Sequence, residues 1–145
     1  MSAIIIRRPD DAEFEVVKKY VDLFWLDNSH MRRGQFKILL FNGVIAAFAR
    51  LKKHAAYSEL CTLGVIKRLR GRHLGMALIR AVVDKAKQDT YIVTVEPGYF
   101  RRTGFCLAAQ YPAGIREKIK KCSVHFAVGK PYRVMIRRHK KAIAR

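Results

Sequence analysis

Residues 64–79 combine the end of a strand-like apolar run, a group of cations and the start of a helix pattern: GVIKRLRGRHLGMALI. Four cations and two glycines lie between the two patterns: Lys67, Arg68, Arg70, Arg72, Gly71 and Gly75. Where a strand turns tightly into a helix, the first helical N–H groups lack partners and, with the helix dipole, attract phosphate. Glycine lets the backbone approach a ligand closely. The segment therefore predicts a site for a phosphate or pyrophosphate group.

Two familiar phosphate loops do not match this segment. It contains no Gly-Lys-Ser/Thr, so it is not the P-loop that holds a nucleotide with Mg²⁺. It also lacks a G-x-G-x-x-G pattern after a strand, which argues against a dinucleotide site. Taken alone, the segment is also compatible with a solvated basic helix start that binds no ligand.

The charge of the chain is strongly positive. Its 145 residues include 30 Lys and Arg against 11 Asp and Glu, which gives a net charge of +19. Half of the residues are hydrophobic, so the chain is not a disordered basic tail. Such a charge favours polyanionic partners. Two interpretations stay open: a nucleic-acid, ribosome or acidic-protein partner, or a general basic bias with a small polyanionic ligand.

The sequence also bears on location and on metal binding. No apolar run is long enough to span a membrane, the N-terminus lacks a signal-peptide pattern, and three cysteines form no paired spacing. A cytoplasmic protein without a membrane partner is expected. Cys61 and Cys106 are expected as buried core thiols. Because Cys122 and His125 are only half of a zinc-binding set, we expect no metal site.

The hydrophobic periodicity predicts one α/β domain over residues 1–145, with a basic tail at about 138–145. Its sheet is expected to be mixed and mostly antiparallel, with a central parallel strand–helix–strand unit, and helices should flank it. Asn42-Gly43 predicts a hairpin turn. Trp25 and Phe24 are expected in the core. The predicted strands cover 3–8, 36–41, 44–53, 56–66, 90–95, 105–110 and 132–138, and the predicted helices 13–26, 74–87, 97–103 and 115–121.

Two motifs in this frame resemble those of the GNAT-type N-acetyltransferases. The first is RGRHLG at 70–75, which begins five residues after the strand end Leu63-Gly64-Val65. It is similar to the family pattern Arg/Gln-x-x-Gly-x-Gly/Ala, except that His73 occupies the position of the first glycine. The second is YFRRTGF at 99–105 after the next strand. The order of elements is similar over about residues 4–137. Within the family, the chain is most similar to the amino-acid N-acetyltransferases of the N-acetylglutamate synthase type.

The resemblance implies acetyl-CoA as cosubstrate and direct attack of a primary amine on its thioester. Backbone N–H groups of residues 70–76 would bind the pyrophosphate, and the Val65 amide would polarise the acetyl carbonyl. The resemblance thus assigns ten residues to cofactor binding: Leu63, Val65, Arg70, Gly71, Arg72, His73, Leu74, Gly75, Met76 and Phe100.

Glu59 is the candidate catalytic base. An ammonium must lose a proton before it attacks, and several family members carry a glutamate six residues before the position of Val65. Strand alternation would place Glu59 on the same face as Leu63 and Val65. The alternative is a strand glutamate that is paired with one of the many nearby cations.

The chain departs from the family pattern at two positions. His73 stands where the loop usually has its first glycine, and Phe100 stands where many members have a tyrosine that protonates the leaving thiolate. Tyr99, Tyr111 or water are the remaining candidates for that acid.

Two functions follow as alternatives. The first is an N-acetyltransferase that acts on an amino acid, peptide or protein. The second is a catalytically weak module of the same fold that binds nucleic acid or ribosome through its basic surface. The cations that would clamp an acidic acceptor, or else are ordinary surface residues, are Arg7, Arg8, Arg32, Arg33 and Lys37.

Overall fold

The structure is a computed structural model that describes residues 3–125 and 129–139. These residues form an α/β domain with one seven-stranded mixed sheet in the order β1-β2-β3-β4-β5-β7-β6. The strands are β1 (Ile4–Arg7), β2 (Phe36–Phe41), β3 (Val44–Lys53), β4 (Ser58–Val65), β5 (Thr90–Thr94), β6 (Cys106–Leu107) and β7 (Arg133–Arg137). The α-helices are α1 (Asp11–Leu23), α2 (Leu74–Asp84), α3 (Pro97–Arg101) and α4 (Ala113–His125).

The sheet is mostly antiparallel, as predicted. β1 pairs with β2, β2 with β3, β5 with β7 and β6 with β7 in antiparallel register. The predicted hairpin is confirmed, because Asn42 and Gly43 have φ values of 51° and 81°. A type I′ turn requires positive φ at both of its central residues, and this is the reason Asn-Gly is favoured there.

The predicted parallel strand–helix–strand unit consists of β4, α2 and β5. β4 and β5 pair in parallel through Ser58↔Thr90 and Glu59↔Tyr91. The ladder ends at Glu59 although both strands continue, β4 to Val65 and β5 to Thr94.

The chain forms two compact units. The first comprises residues up to 52 together with 60–85. In it, α1 begins with a capping box in which Asp10 accepts from the Glu13 amide and Glu13 accepts from the Asp10 amide. The helix buries one side in a core with β2 and β3 that contains Val17, Val21, Phe36, Ile38, Leu40 and Phe48.

The second unit comprises residues 53–59 and those from 86 onward. The β5–β7 ladder is its centre, and α4 packs against both strands. Ile115 of α4 and Met135 of β7 are fully buried.

Some sequence-based expectations are corrected. α1 covers residues 11–23 rather than 13–26, and it ends because Trp25 adopts a left-handed φ of 57°. Trp25 is 85% exposed, so its expected core position is wrong, whereas Phe24 packs against the core. Cys106 is exposed because β6 is a two-residue strand at the sheet edge, while Cys61 is buried as expected.

Three further points concern location, metals and the tail. Within residues 3–125 and 129–139, no helix has the length and apolarity needed to cross a membrane. The same residues contain no group of three or more His, Cys, Asp or Glu side chains arranged for a metal ion. Of the predicted basic tail, residues 140–145 lie outside the described part of the chain.

Candidate functional site

The corner between β4 and α2 has the geometry of an anion-binding loop. After β4 ends at Val65, a short 3₁₀ helix (Lys67–Leu69) leads to two residues in left-handed conformation, Gly71 (φ 84°) and His73 (φ 59°). His73 is the N-cap of α2, and its side chain makes no capping hydrogen bond. A Cβ at Gly71 would have no heavy atom within 4 Å. The helix therefore presents its first N–H groups without a side-chain cap beside an open backbone, which fits a phosphate.

His73 retains the backbone conformation that the family pattern specifies with glycine. Its φ of 59° and ψ of 20° lie in the left-handed region, which glycine enters without a Cβ penalty. The side chain of His73 is exposed. The assignment of His73 to cofactor binding stays a prediction.

Two of the predicted phosphate-binding cations are engaged within the chain. Arg70 donates from Nε to the Val65 carbonyl at 3.0 Å, and its guanidinium lies 5.4 Å from the centre of the Phe24 ring. The Arg72 guanidinium lies 5.6 Å from the centre of the Phe41 ring. These contacts fix the direction of both side chains at the corner.

Four more of the predicted cofactor residues lie at two places, three at the start of α2 and Phe100 in α3. Leu74, Gly75 and Met76 are buried, so the side chains of Leu74 and Met76 pack inside the domain, and a contact of their backbone groups with a ligand stays a prediction. Phe100 is buried in the other unit, where its ring makes edge contacts with Tyr99 at 5.2 Å and with Phe105 at 5.9 Å. Its observed role is packing, and a cofactor contact stays a prediction.

A cavity of about 540 Å³ adjoins the corner and was missed by the sequence analysis. Its walls are an aromatic and apolar end of α1 and the cationic segment after β4. The lining residues are Tyr20, Leu23, Phe24, Ile66, Lys67, Arg68 and Arg70. This volume is in the range of small-molecule sites.

The alternation expected along β4 is interrupted. Thr62 has a φ of 48°, and its Oγ1 donates to the Asp27 carbonyl at 3.0 Å. A left-handed residue inside a strand is typical of a β-bulge, which shifts the side chains that follow to the other face. The argument that Glu59 shares a face with Leu63 and Val65 therefore does not hold across Thr62.

Glu59 lies in a cluster of charged groups in the second unit. Its side chain is only 7% exposed, with Oε1 3.2 Å from Nε2 of His54 and Oε2 3.3 Å from Nζ of Lys118. The side chain of Lys118 is 14% exposed and that of His54 is 37% exposed. The alternative of a paired glutamate is thus observed, and the pairing brings three titratable side chains together.

Tyr57 and Gln88 hold this cluster in place. The His54 ring stacks on Tyr57 at 4.5 Å, and Tyr57 makes an edge contact with Tyr91 at 5.7 Å. Burial, followed by the charge of Glu59, raises the pKa of Tyr57 above its usual value. Gln88 donates from Nε2 to the carbonyls of His54 and Ala55 at 3.2 and 2.9 Å, which fixes the turn before β4.

Sequence reasoning missed His54 and Lys118. A histidine five residues before Glu59 was a signal that the sequence contained. Lys118 was one lysine among several on a charged helix, and only the packing of α4 distinguishes it.

Two of the arginines considered as acceptor clamps have structural partners. Arg7 binds both carboxylate oxygens of Glu13 at 2.6 and 2.8 Å, and this hydrogen bonding lowers the pKa of Glu13. Nε of Arg33 lies 3.1 Å from Oδ1 of Asp11. Both contacts connect the start of α1 to neighbouring segments, which fits the alternative of ordinary surface cations.

The sequence analysis also missed a buried arginine in the first unit. Arg50 is fully buried, donates from Nε to Gln35 at 2.9 Å and donates from Nη2 to the carbonyls of Ser29 and His30. Its Nη1 has no hydrogen-bond partner among the described residues. Arg50 therefore ties residues 29–35 to β3.

Solved structures with the same fold include acetyltransferases crystallised with coenzyme A. N-acetylglutamate synthase from Neisseria gonorrhoeae, complexed with coenzyme A and N-acetyl-glutamate, is 18% identical with a TM-score of 0.74. The match covers 96% of this chain and 36% of that protein. The same enzyme complexed with coenzyme A and L-arginine gives a TM-score of 0.77 at 18% identity, over 95% and 34% of the two chains. This chain thus spans about a third of the length of that enzyme.

A third structure matches along its whole length. A protein from Mycobacterium tuberculosis in complex with CoA is 15% identical with a TM-score of 0.74, and the match covers 94% of this chain and 99% of that one. At these identities the likeness shows the fold.

Sequence comparison identifies the family. No curated protein sequence matches this chain. The family model described as "Acetyltransferase (GNAT) family" matches residues 4–106, which include β4, the corner and α2. The chain therefore belongs to the GNAT family of acetyltransferases.

Proposed function

We propose that this protein transfers the acetyl group of acetyl-CoA to a primary amine by direct attack on the thioester. The observation that carries the proposal is the uncapped start of α2 behind the RGRHLG loop, at the end of β4. Membership of the GNAT family and a fold shared with enzymes crystallised with coenzyme A support it.

The chain's own groups would bind the cosubstrate as follows. Backbone N–H groups of residues 70–76 would donate to the pyrophosphate, and Lys67 and Arg68 would add positive potential, because both are exposed beside the loop. The Val65 amide would polarise the acetyl carbonyl. A donor of this kind, aimed at a developing oxyanion, contributes about 3 kcal/mol to transition-state stabilisation.

The reaction also requires proton transfers. The acceptor ammonium must lose a proton, for which Glu59 is the predicted base. Phe100 cannot protonate the leaving thiolate. Tyr99 is half-buried, and because burial raises its pKa it keeps its proton at neutral pH and remains a candidate donor.

An amino acid is the acceptor class that we favour, with peptides and proteins as alternatives. The fold neighbour complexed with N-acetyl-glutamate supports this choice, although this chain spans only about a third of that enzyme. The protein is proposed to act in the cytoplasm.

Calorimetric titration of acetyl-CoA into wild type and Gly75→Glu tests the proposal. The substitution places a carboxylate at the start of α2, so we expect micromolar binding in wild type and none in the variant. Gly34→Glu is the matched control, because it makes the same charge change at an exposed glycine with open space around its Cβ. If Gly75→Glu does not fold, Gly71→Glu replaces it. A Cβ there meets no atom within 4 Å, but the φ of 84° strains any side chain, so circular dichroism must first show that this variant is folded.

Absence of binding to wild type contradicts the proposal. Equal loss of affinity in Gly34→Glu would show that the corner is not the binding site and that net charge alone determines the affinity.

The second candidate is a nucleic-acid-binding module, and the net charge of +19 favours it. The two functions are compatible, since a basic acetyltransferase is able to act on an acceptor that is bound to nucleic acid.

A further inference from the structure

The cavity beside the phosphate corner has an aromatic wall and a cationic wall, and both walls belong to the first unit. The last turns of α1 contribute Tyr20, Leu23 and Phe24, and the segment after β4 contributes Ile66, Lys67, Arg68 and Arg70. Among the described residues that line the cavity, none is acidic. A ligand in this space therefore meets apolar surface together with uncompensated positive charge, a combination typical of small-molecule sites.

The cationic wall has charged groups without partners inside the protein. Lys67 and Arg68 are exposed, and neither side chain makes a hydrogen bond or an ion pair with another residue in the described ranges. Arg70 donates from Nε to the Val65 carbonyl, and within the same ranges its two Nη groups make no hydrogen bond. Guanidinium groups pair readily with the oxygens of a carboxylate or a phosphate. An anionic group at this wall would gain these contacts without displacing an existing ion pair.

The aromatic wall favours a flat aromatic group. The rings of Tyr20 and Phe24 lie with their centres 5.5 Å apart, and the Arg70 guanidinium lies 5.4 Å from the centre of the Phe24 ring. Because a guanidinium plane stacks on aromatic faces, Arg70 adds a flat cationic surface to the two rings. Leu23 is 66% exposed, so a ligand in the cavity would also cover apolar surface that water now contacts.

We propose that this cavity binds an aromatic anion, a flat aromatic group that carries a carboxylate or a phosphate, in addition to the acetyl-CoA at the corner. The aromatic group would lie against Tyr20, Leu23 and Phe24, and the anionic group would lie at the cationic wall. The inference goes beyond the proposed function, because it concerns a second ligand and does not require acetyl transfer.

Calorimetric titration of wild type with four probes tests whether both parts of the ligand are needed. Naphthyl phosphate and naphthoate carry both parts, inorganic phosphate carries the anion alone, and naphthol carries the aromatic group alone. The tighter of the first two probes should bind with one-to-one stoichiometry and at least about tenfold more tightly than either partial probe, because charged hydrogen bonds and apolar burial each contribute about that factor. Which of the two is tighter distinguishes a phosphate ligand from a carboxylate ligand. Equal affinities of naphthyl phosphate and inorganic phosphate, with no tighter binding of naphthoate, would overturn the inference.

Substitutions in the two walls should have different signatures. Leu23→Ser should weaken naphthyl phosphate binding about fivefold and leave inorganic phosphate binding unchanged, because it removes apolar contact alone. Arg68→Gln should weaken the binding of both by about fivefold to tenfold, because it removes a charge. Leu107→Ser and Arg116→Gln, at an exposed leucine and an exposed arginine of the second unit, are the matched controls and should behave as wild type.

The four substituted residues are all exposed, so these variants should fold, and circular dichroism checks this. Unchanged naphthyl phosphate affinity in Leu23→Ser, or an equal loss in Leu107→Ser, would overturn the inference. In ¹H–¹⁵N spectra of wild type, naphthyl phosphate should shift amides of residues 20–24 and 66–70. Shifts spread over exposed cations of both units would instead indicate non-specific anion binding and would also overturn the inference.

Titration in the presence of saturating acetyl-CoA separates the cavity from the cosubstrate site. Naphthyl phosphate should still bind with nearly unchanged affinity, and Leu23→Ser should bind acetyl-CoA as wild type does. Complete displacement by acetyl-CoA would overturn the inference, because the cavity would then be part of the cosubstrate site. If acetyl-CoA does not bind wild type, the proposed function is contradicted, whereas the naphthyl phosphate titrations still decide the inference.

Discussion

His73 shows how a single backbone conformation determines which residue a loop tolerates. At φ 59° a side chain with a Cβ crowds its own backbone, at a cost of about 1 to 2 kcal/mol relative to right-handed backbone. Glycine avoids this cost but loses more conformational entropy on folding, about 0.5 to 1 kcal/mol. The two effects partly cancel, which explains why a histidine is tolerated where the family pattern has glycine.

Substitution of His73 should therefore change the free energy of unfolding through the left-handed backbone conformation at this position. His73→Gly should raise the free energy of unfolding by about 0.5 kcal/mol, and His73→Val should lower it by about 1 to 2 kcal/mol because β-branched residues fit this region poorly. Denaturant titration measures both values. At His139, where φ is not positive, glycine should not stabilise. Equal stabilities of the glycine and valine variants at 73 would contradict this account.

At the scale of elements, β4 approaches α1 and β3 through a residue that has no side chain. A Cβ at Gly64 would lie 2.4 Å from Cζ of Phe48 and 3.1 Å from the Phe24 ring. Phe48 is fully buried and stacks on Phe24 with ring centres 6.3 Å apart, so the Phe48 ring has little room to move. Glycine at this position allows the end of α1, β3 and the end of β4 to pack together.

Gly64→Ala should consequently destabilise the protein although it adds a single methyl group. We expect a loss of about 1 to 3 kcal/mol in the free energy of unfolding, the usual cost of overpacking a core. Thermal and denaturant unfolding measure it. Gly34→Ala is the control, since a Cβ there meets no atom within 4 Å and should leave stability nearly unchanged. Partial recovery in a Gly64→Ala, Phe48→Leu double variant would identify the Phe48 ring as the cause.

At the scale of the whole molecule, the excess of cations predicts an affinity for polyanions that depends on salt. With 30 Lys and Arg against 11 Asp and Glu, the chain should bind duplex nucleic acid non-specifically. For about six phosphate contacts, affinity should fall about a thousandfold between 50 and 200 mM salt. Fluorescence anisotropy with a labelled duplex measures the log–log slope. A slope near zero would contradict nucleic-acid binding and leave the acetyltransferase as the single candidate function.

The sequence by itself determined the features that depend on neighbours along the chain. Asn42-Gly43 specified the hairpin, Asp10 and Glu13 capped α1, and apolar periodicity gave the strand and helix order of the GNAT fold. The loop at 70–75 was recognisable because its cations and glycines are contiguous. Such signals depend on backbone propensity and on periodicity, which act within a few residues.

Only the tertiary structure decided which distant side chains meet and which residues are exposed. Lys118 reaches Glu59 because α4 packs against β5 and β7, and no local pattern distinguishes it from the other lysines of α4. Trp25 is exposed because α1 ends before it, and Thr62 interrupts the alternation of β4 through a single left-handed residue. Packing between elements sets these contacts, and it depends on the whole chain rather than on any one segment of it.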